Sequence, residues 1–246
     1  MNLAVNIGNT NIRAALGDTD NYSQAVFYLS KDMGKENFIH EIERKLGNDV
    51  WDKASRSIIA SVVPAYTNLV VEILEQKTGG PVARVDINNC GKLDISRYKG
   101  KLGEDRAVCC AGAMYKHKPP FVLIDFGTAT TFNVVNKDGI FMGGAIMAGL
   151  QTGLKALAES TAQLPAMSNM WEKPKVIGTD TMENLLSGAI LGTAGAAEGF
   201  IDRIKAEIGE EIKVVATGGH APAVLPVCRF PYIHEPSLLL EGLLSL

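Results

Sequence analysis

The sequence has few cysteines: four in 246 residues, at irregular spacings (Cys90, Cys109, Cys110 and Cys228). A disulfide framework or a zinc site needs more cysteines or a regular spacing, so we interpret all four as reduced, buried thiols. A charge excess of either sign is also missing, because 24 basic and 27 acidic side chains leave a net charge of −3. A balanced charge gives no electrostatic reason to expect a nucleic-acid partner. The composition, 46% apolar and 21% charged, is ordinary for a globular protein.

Long hydrophobic runs are missing as well. The most apolar stretch, residues 185–201, contains Glu198 and is flanked by Glu183 and Asp202, so it is too short and too interrupted to span a bilayer. The N-terminus has no basic region and turns polar at residues 8–11, which is not the pattern of a signal peptide. We therefore expect a soluble, cytoplasmic protein without a membrane partner.

The chain contains an internal repeat. Residues 3–16 and 122–135 follow one plan: an apolar run, a polar residue, a glycine turn and a second apolar run. Asn6 matches Asp125 at an offset of 119, which is close to half the chain. Each copy predicts a β-hairpin with a tight turn, and the large offset predicts two related lobes.

The remaining pattern alternates strands and helices, as in an α/β protein. Apolar runs predict strands at 57–64, 81–87, 139–146 and 212–219. Helices are predicted at 65–78, 102–116, 150–160, 236–246 and from a cap at Thr179 or Asp180 to about residue 209. For residues 20–51 we expect one strand and one helix. Pro119-Pro120 marks the connection between the lobes, so we expect an N-terminal lobe at 1–117 and a C-terminal lobe at 118–246.

The two hairpin turns and a third glycine turn predict a phosphate site. Glycines such as Gly8 and Gly127 let the backbone come close to a ligand, and exposed N–H groups can surround a phosphate. One such turn is common in ordinary hairpins, but residues 217–220 add a third. Together they predict an ATP site between the lobes. The P-loop motif and the G-x-G-x-x-G motif after the first strand are both absent from the sequence, which excludes those two nucleotide folds.

A second chemical cluster lies at residues 102–106, Leu-Gly-Glu-Asp-Arg. Asp105 could accept a proton from a substrate hydroxyl, and Arg106 could bind a substrate carboxylate. The alternative is an ordinary charge pair at a helix N-terminus. Asp125 follows a strand beside a phosphate turn, which suits a cation ligand. The four histidines show no metal-binding spacing, and we assign none of them a catalytic role.

These motifs resemble the type III pantothenate kinase family. The resemblance rests on Gly-x-Asp-Arg at 103–106, Asp-Phe-Gly-Thr-Ala-Thr-Thr at 125–131, Gly-Gly-Ala-Ile at 143–146 and Ala-Thr-Gly-Gly at 216–219, in matching order over nearly the whole chain. It implies two ribonuclease-H-like lobes with a cleft between them, the α/β fold of the actin-like ATPase superfamily. It also implies ATP-dependent phosphorylation of pantothenate, the first step of coenzyme A synthesis, by a homodimer that uses Mg²⁺ and a monovalent cation, K⁺ or NH₄⁺.

The resemblance also implies roles for individual residues. Asp105 is expected to accept the substrate proton, and Asp125 to bind the monovalent cation. ATP is expected to contact the first hairpin and the second turn, at Asn6, Ile7, Gly8, Asn9, Thr10, Asn11, Ile12, Arg13 and Thr128. Pantothenate is expected to contact Tyr98, Gly103, Glu104, Asp105, Arg106 and Thr181.

The sequence departs from the family pattern at three places. The first turn is normally Asp-x-Gly-Asn-Thr, but its acid is Asn6 here; Asn133 replaces an aspartate and Ala148 a proline. Asn6 brings no negative charge to the nucleotide, so a second interpretation is a weakened or inactive relative that acts as a regulatory or partner subunit. A mixed dimer with an active homologue, and a sugar kinase or phosphatase of the same superfamily, are further alternatives.

The long helix carries a stripe of small residues. Gly188, Gly192, Gly195 and Gly199 recur at intervals of three and four residues, which allows another helix to approach closely although each glycine costs about 1 kcal/mol. The partner is either another part of the same chain or a second copy in a dimer.

Overall fold

The computed structural model describes residues 1–29, 33–167 and 172–246. They form two compact units. The first contains Met1–Lys118, Gly139–Phe141 and Ser237–Leu246, and the second contains Pro119–Asp138 and Met142–Pro236. The chain therefore returns to the first unit twice after leaving it.

The first unit is built on a five-stranded mixed sheet. Its strands are β1 (Asn2–Ile7), β2 (Asn11–Gly17), β3 (Tyr22–Tyr28), β4 (Arg56–Ser61) and β5 (Val82–Arg84), in the order β3-β2-β1-β4-β5. The strand β2 pairs antiparallel with both β1 and β3, whereas β4 runs parallel to β1 and β5 parallel to β4. The helices of this unit are α1 (Lys35–Leu46), α2 (Val50–Lys53), α3 (Pro64–Thr78), α4 (Glu104–Lys116) and, at the end of the chain, α8 (Leu238–Leu244).

The second unit repeats this plan. Its strands are β6 (Phe121–Phe126), β7 (Ala129–Val135), β8 (Phe141–Ala148), β9 (Lys213–Thr217) and β10 (Ile233–His234), in the order β8-β7-β6-β9-β10. Its helices are α5 (Leu150–Ser160), α6 (Thr181–Ile208) and α7 (Ala221–Val224). In both sheets the first strand lies between the antiparallel second strand and the parallel fourth strand. The predicted internal repeat and the ribonuclease-H-like fold of each half are confirmed.

The two hairpins differ by one residue. Asn6 pairs with Arg13 in the first hairpin, and Asp125 pairs with Thr131 in the second. The offset of 119 on the first strand thus becomes 118 on the second strand, because the second turn is one residue shorter. After the turn, Arg13 therefore matches Thr131 rather than Phe132.

Each sheet has its own hydrophobic core. In the first unit, α3 buries Val70, Val71, Ile73 and Leu74. The last helix, α8, packs its leucines in this unit, as its apolar sequence predicts. The described residues of 20–51 contain the expected strand, β3, and the expected helix, α1. A further helix, α2, begins at Val50, and its single turn buries Val50 and Trp51.

The cysteines are free thiols. Cys90, Cys109 and Cys110 are buried, and Cys228 is half-buried. Burial raises the pKa of Cys110 to about 12 and that of Cys90 to about 11, so these thiols are poor nucleophiles at neutral pH. None of the helices in the described residues has the length and hydrophobicity needed to cross a membrane.

Candidate active site

Backbone hydrogen bonds close the first hairpin turn and join it to the end of β3. The Gly8 N–H donates to the Asn11 carbonyl at 2.9 Å, and Leu29 N–H donates to the Thr10 carbonyl at 2.9 Å. Ile7 and Ile12, which the resemblance assigns to ATP, are fully buried residues. The side chains of the other predicted contacts are exposed (Asn9) or half-buried (Thr10, Asn11 and Arg13).

Asn6 lies just before this turn and is only 4% exposed. Its Oδ1 is buried and has no hydrogen-bond partner among the described residues. An unsatisfied buried acceptor costs about 1–3 kcal/mol. This unsatisfied oxygen lies at a strand end where a ligand is expected. A hydrogen-bond donor on that ligand would satisfy Asn6 Oδ1.

The Asp105 carboxylate is held at the start of α4. Its Oδ1 accepts a hydrogen bond from the Arg106 N–H at 2.8 Å, and within the described part of the chain its Oδ2 makes no hydrogen bond. Gly103, the residue that caps the helix, allows this arrangement because a Cβ there would lie 2.7 Å from Oδ1. One oxygen is therefore fixed and the other is available to accept a proton.

Glu104 is used to attach α4 to the sheet. Its Oε2 accepts a hydrogen bond from the Ser61 N–H at 2.8 Å, at the end of β4. The carboxylate thus orients the helix that carries Asp105, whatever further contact it makes with a substrate.

Arg106 and Tyr98 meet at one aromatic ring. The Arg106 guanidinium lies 5.5 Å from the ring centroid of Phe141, which is within cation–π range. The Tyr98 ring packs edge-on against the same ring at 5.2 Å. Phe141 is fully buried in the first unit. Sequence reasoning assigned it no role, because no local pattern marks the return of residues 139–141 to this unit.

In the second unit, Asp125 lies near the end of β6, in register with Thr131 on β7 and Thr217 on β9. Gly218 follows Thr217 at a φ of +103°, and a Cβ there would lie 2.4 Å from Asp125 Oδ1. Only glycine satisfies both the backbone angle and the space. The glycine turn at 218–219 therefore leaves room for the carboxylate that is predicted to bind a cation.

The second hairpin turn is fastened to α5. The Thr128 carbonyl accepts hydrogen bonds from the Gly149 N–H at 3.1 Å and from Thr152 Oγ1 at 2.7 Å. The Gly127 N–H donates to the Ala129 carbonyl at 3.1 Å across the turn. These bonds fix Thr128, the predicted ATP contact in this unit.

Thr181 is the first residue of α6 and is exposed. Asp180 is one of the two predicted caps, and it caps the helix by accepting a hydrogen bond from the Glu183 N–H at 2.8 Å. Glu183 in turn accepts from the Thr179 N–H and hydroxyl, each at 2.8 Å. Thr181 belongs to the second unit, whereas the other predicted pantothenate contacts all belong to the first.

The described residues contain no cluster of three or more histidine, cysteine or acidic side chains that could hold a metal ion. Magnesium in phosphoryl-transfer sites usually keeps several waters and binds one or two protein groups besides the substrate phosphates. In the first unit, the unsatisfied Oδ1 of Asn6 is an oxygen that fits such partial coordination.

Solved structures share the fold. A protein of Campylobacter jejuni assigned to the Baf family of transcriptional activators superposes with a TM-score of 0.62 at 20% identity, over 98% of this chain and 94% of its own. The ROK hexokinase of Thermus thermophilus superposes with a TM-score of 0.52 at 14% identity, over 99% of this chain and 97% of its own. The predicted α/β fold with two repeated halves is thereby confirmed.

Sequence comparison gives the family. The family model of type III pantothenate kinase matches residues 2–203. A type III pantothenate kinase of Thermus thermophilus is 34% identical over an alignment 250 positions long, which covers 100% of this chain and 98% of the relative. The chain therefore belongs to the type III pantothenate kinase family.

Proposed function

We propose that this protein transfers the γ-phosphoryl group of ATP to the primary hydroxyl of pantothenate, and so catalyses the first step of coenzyme A synthesis. Membership of the family supports this reaction. The observation that carries it for this chain is the Asp105 carboxylate, which has one oxygen bonded to the Arg106 N–H and the other without a partner among the described residues.

The reaction needs a base at the alcohol. The hydroxyl oxygen attacks the γ-phosphorus, the bond from that phosphorus to the β,γ-bridging oxygen breaks, and ADP leaves. Asp105 Oδ2 accepts the hydroxyl proton as the new P–O bond forms. Because Oδ1 is fixed by the helix backbone, the base is oriented before the substrate binds.

Arg106 and Tyr98 are proposed to recognise pantothenate. A guanidinium can bind the substrate carboxylate through two parallel hydrogen bonds. Its packing on the Phe141 ring restricts the side chain, so less entropy is lost when the substrate binds. We assign Thr181 to the same substrate on the strength of the family resemblance alone.

Each hairpin turn is proposed to contact nucleotide phosphates within its own unit, and in the second unit the turn at 218–219 lies next to Asp125 and Phe126. When bound with ATP, Mg²⁺ neutralises charge that develops on the phosphates. Asn6 Oδ1 would accept a hydrogen bond from a magnesium-bound water, since this buried oxygen has no partner among the described residues. Asp125 would hold the monovalent cation, and the absence of a side chain at Gly218 leaves room for the Asp125 carboxylate.

Asn6 favours the second candidate, a weakened or inactive relative with a regulatory role. A neutral amide cannot offset phosphate charge as an aspartate does, and the loss of one charged group near the nucleotide costs about 10²-fold in rate. We favour the active enzyme because Asp105 and Asp125 are retained and the carboxylate of Asp105 is oriented.

We also propose that the protein is a homodimer with α6 at the interface. Gly188, Gly192 and Gly195 are exposed, and a Cβ at any of them would meet nothing within 4 Å among the described residues. Close packing within the described chain therefore does not explain these glycines. Gly188 and Gly192, together with α5, border an open groove of about 380 Å³, which a helix of a second copy would fill.

The activity is tested by coupled ADP release with pantothenate, Mg²⁺ and K⁺. We expect ADP release that depends on pantothenate and that Asp105→Asn abolishes. Asp52→Asn is the matched control, because Asp52 is an exposed aspartate of the same unit outside the site. ADP release that ignores pantothenate, or that survives Asp105→Asn, would contradict the proposal.

A further inference from the structure

His220 contacts the second hairpin turn in two ways. Its backbone N–H donates to the Phe126 carbonyl at 2.9 Å. Its ring Nδ1 lies 3.3 Å from the carbonyl oxygen of Gly127, the next residue along the turn. A half-buried histidine that follows the glycine turn at 218–219 is thus attached to two successive peptide groups beside Asp125.

The partner determines which ring nitrogen carries the proton. A carbonyl oxygen only accepts hydrogen bonds, so Nδ1 must be the donor. Burial lowers the pKa of His220 below its usual value, so the ring is neutral at pH 7 and Nε2 carries no proton. This Nδ1–H tautomer is the less common form of a free neutral imidazole, and here the contact selects it.

The bond to the Gly127 carbonyl fixes more than one atom. The Gly127 carbonyl and the Thr128 amide belong to one planar trans peptide group, so holding the oxygen also fixes the plane and the direction of the amide. The next carbonyl, that of Thr128, is held by Gly149 and Thr152. The bonds from Gly149 and Thr152 do not hold the Gly127–Thr128 peptide group, and His220 therefore gives the turn an additional attachment there.

The first hairpin provides an internal comparison. There the Val62 N–H donates to the Ile7 carbonyl at 3.0 Å. Ile7 matches Phe126, although Val62 lies two residues after the paired Ala60 and His220 three residues after the paired Thr217. The valine side chain has no donor, so the first turn lacks the additional bond. The ring contact is thus not a requirement of the hairpin itself.

We propose that His220 is a positioning residue for the nucleotide: its ring holds the Gly127–Thr128 peptide plane and thereby places Thr128 against the phosphates of ATP. The inference depends on the proposed ATP site. It predicts that loss of the ring donor weakens ATP binding about fivefold, the usual effect of one neutral hydrogen bond, and leaves the KM for pantothenate unchanged.

The test compares variants that differ in the group facing the Gly127 oxygen. In His220→Asn the amide nitrogen can occupy the place of Nδ1 and restore the bond, whereas His220→Phe removes the donor. We expect the dissociation constant of MgATP, from calorimetry, to rise about fivefold in the Phe variant and to stay within about twofold of the natural value in the Asn variant. The Asn variant also controls for folding.

A second measurement does not depend on nucleotide. Nitrogen-15 NMR of the imidazole distinguishes the two neutral tautomers, and we expect the proton on Nδ1. A proton on Nε2 would overturn the proposal, because two lone pairs would then face each other. Equal MgATP affinities in the Phe variant and the natural protein would overturn the positioning role alone, whereas no MgATP binding by the natural protein would overturn the ATP site as well.

Discussion

Replacing Gly103 by alanine adds a methyl group 2.7 Å from Asp105 Oδ1. Ordinary contact begins near 3.4 Å, so the carboxylate must move by roughly 0.7 Å. The Asp105 carboxyl group is the only neighbour within 4 Å that the methyl group meets among the described residues. The displacement therefore falls on the proposed base and disturbs its bond to the Arg106 N–H.

The expected effect is on rate rather than on stability. A misplacement approaching 1 Å in a reacting group costs up to about 10²-fold, so we predict a kcat about 10- to 100-fold lower. Alanine at a helix cap costs about 1 kcal/mol. The Gly103 backbone, at φ −65° and ψ 139°, is a conformation that alanine also adopts. Alanine lowers the entropy of the unfolded chain, which raises the free energy of unfolding by about 0.4–1 kcal/mol. The free energy of unfolding should change by less than about 1 kcal/mol.

Gly34→Ala is the matched control. Gly34 also caps a helix, α1, and a Cβ there meets nothing within 4 Å among the described residues. Steady-state kinetics and urea unfolding of both variants separate the two effects. A Gly103→Ala enzyme with natural kcat would refute the assignment of Asp105 as the base, and an equal loss of activity in Gly34→Ala would show that the cap, not the carboxylate, is responsible.

Three other residues give further predictions. Asn6→Asp should raise kcat/KM at saturating Mg²⁺ by up to about 10²-fold. A kcat/KM of the variant that stays below that of the natural protein throughout a magnesium titration would contradict the proposed role of residue 6. Glu183→Gln should lower the melting temperature at pH 7, and this difference should vanish as the pH falls towards 2; a difference that persists there would contradict the ion pair as its cause. Gly192→Leu should shift the mass measured by light scattering from dimer to monomer, and an unchanged dimer would exclude α6 as the interface.

The sign of the pH prediction follows from the pKa of Glu183. The hydrogen bond from Lys175, and then those from Thr179, lower this pKa from 4.5 to about 2. A carboxylate with a lowered pKa in the folded state contributes its stability above the unfolded-state value and loses it as the pH falls through the folded-state value. The loss therefore falls between about pH 4.5 and pH 2. The natural protein should approach the variant over that range.

The parts of the fold that depend on local pattern could be predicted from the sequence. Alternation of apolar residues around Gly8 and Gly127 is sufficient to predict both hairpins, because strand periodicity and turn residues lie in one short segment. Asp180 is predictable as a cap for the same reason: the carboxylate and the Glu183 N–H that it binds are three residues apart.

Contacts between distant segments could not be predicted in this way. The ring of Phe141 reaches Arg106 because residues 139–141 return to the first unit, where Asp94 and Ile140 form a bridge. The Ser61–Glu104 bond joins residues 43 positions apart. Neither contact leaves a local signal, and the shorter second turn leaves none either, since the two repeats can be aligned without a gap.

The most direct test of the account is a single-turnover measurement of phosphoryl transfer from γ-labelled ATP to pantothenate, with the enzyme in excess over ATP. The account predicts label in the phosphorylated alcohol with the natural protein and with Asp52→Asn, and a rate lower by at least about 10²-fold with Asp105→Asn. No labelled product with the natural protein, or an unchanged rate with Asp105→Asn, would contradict it.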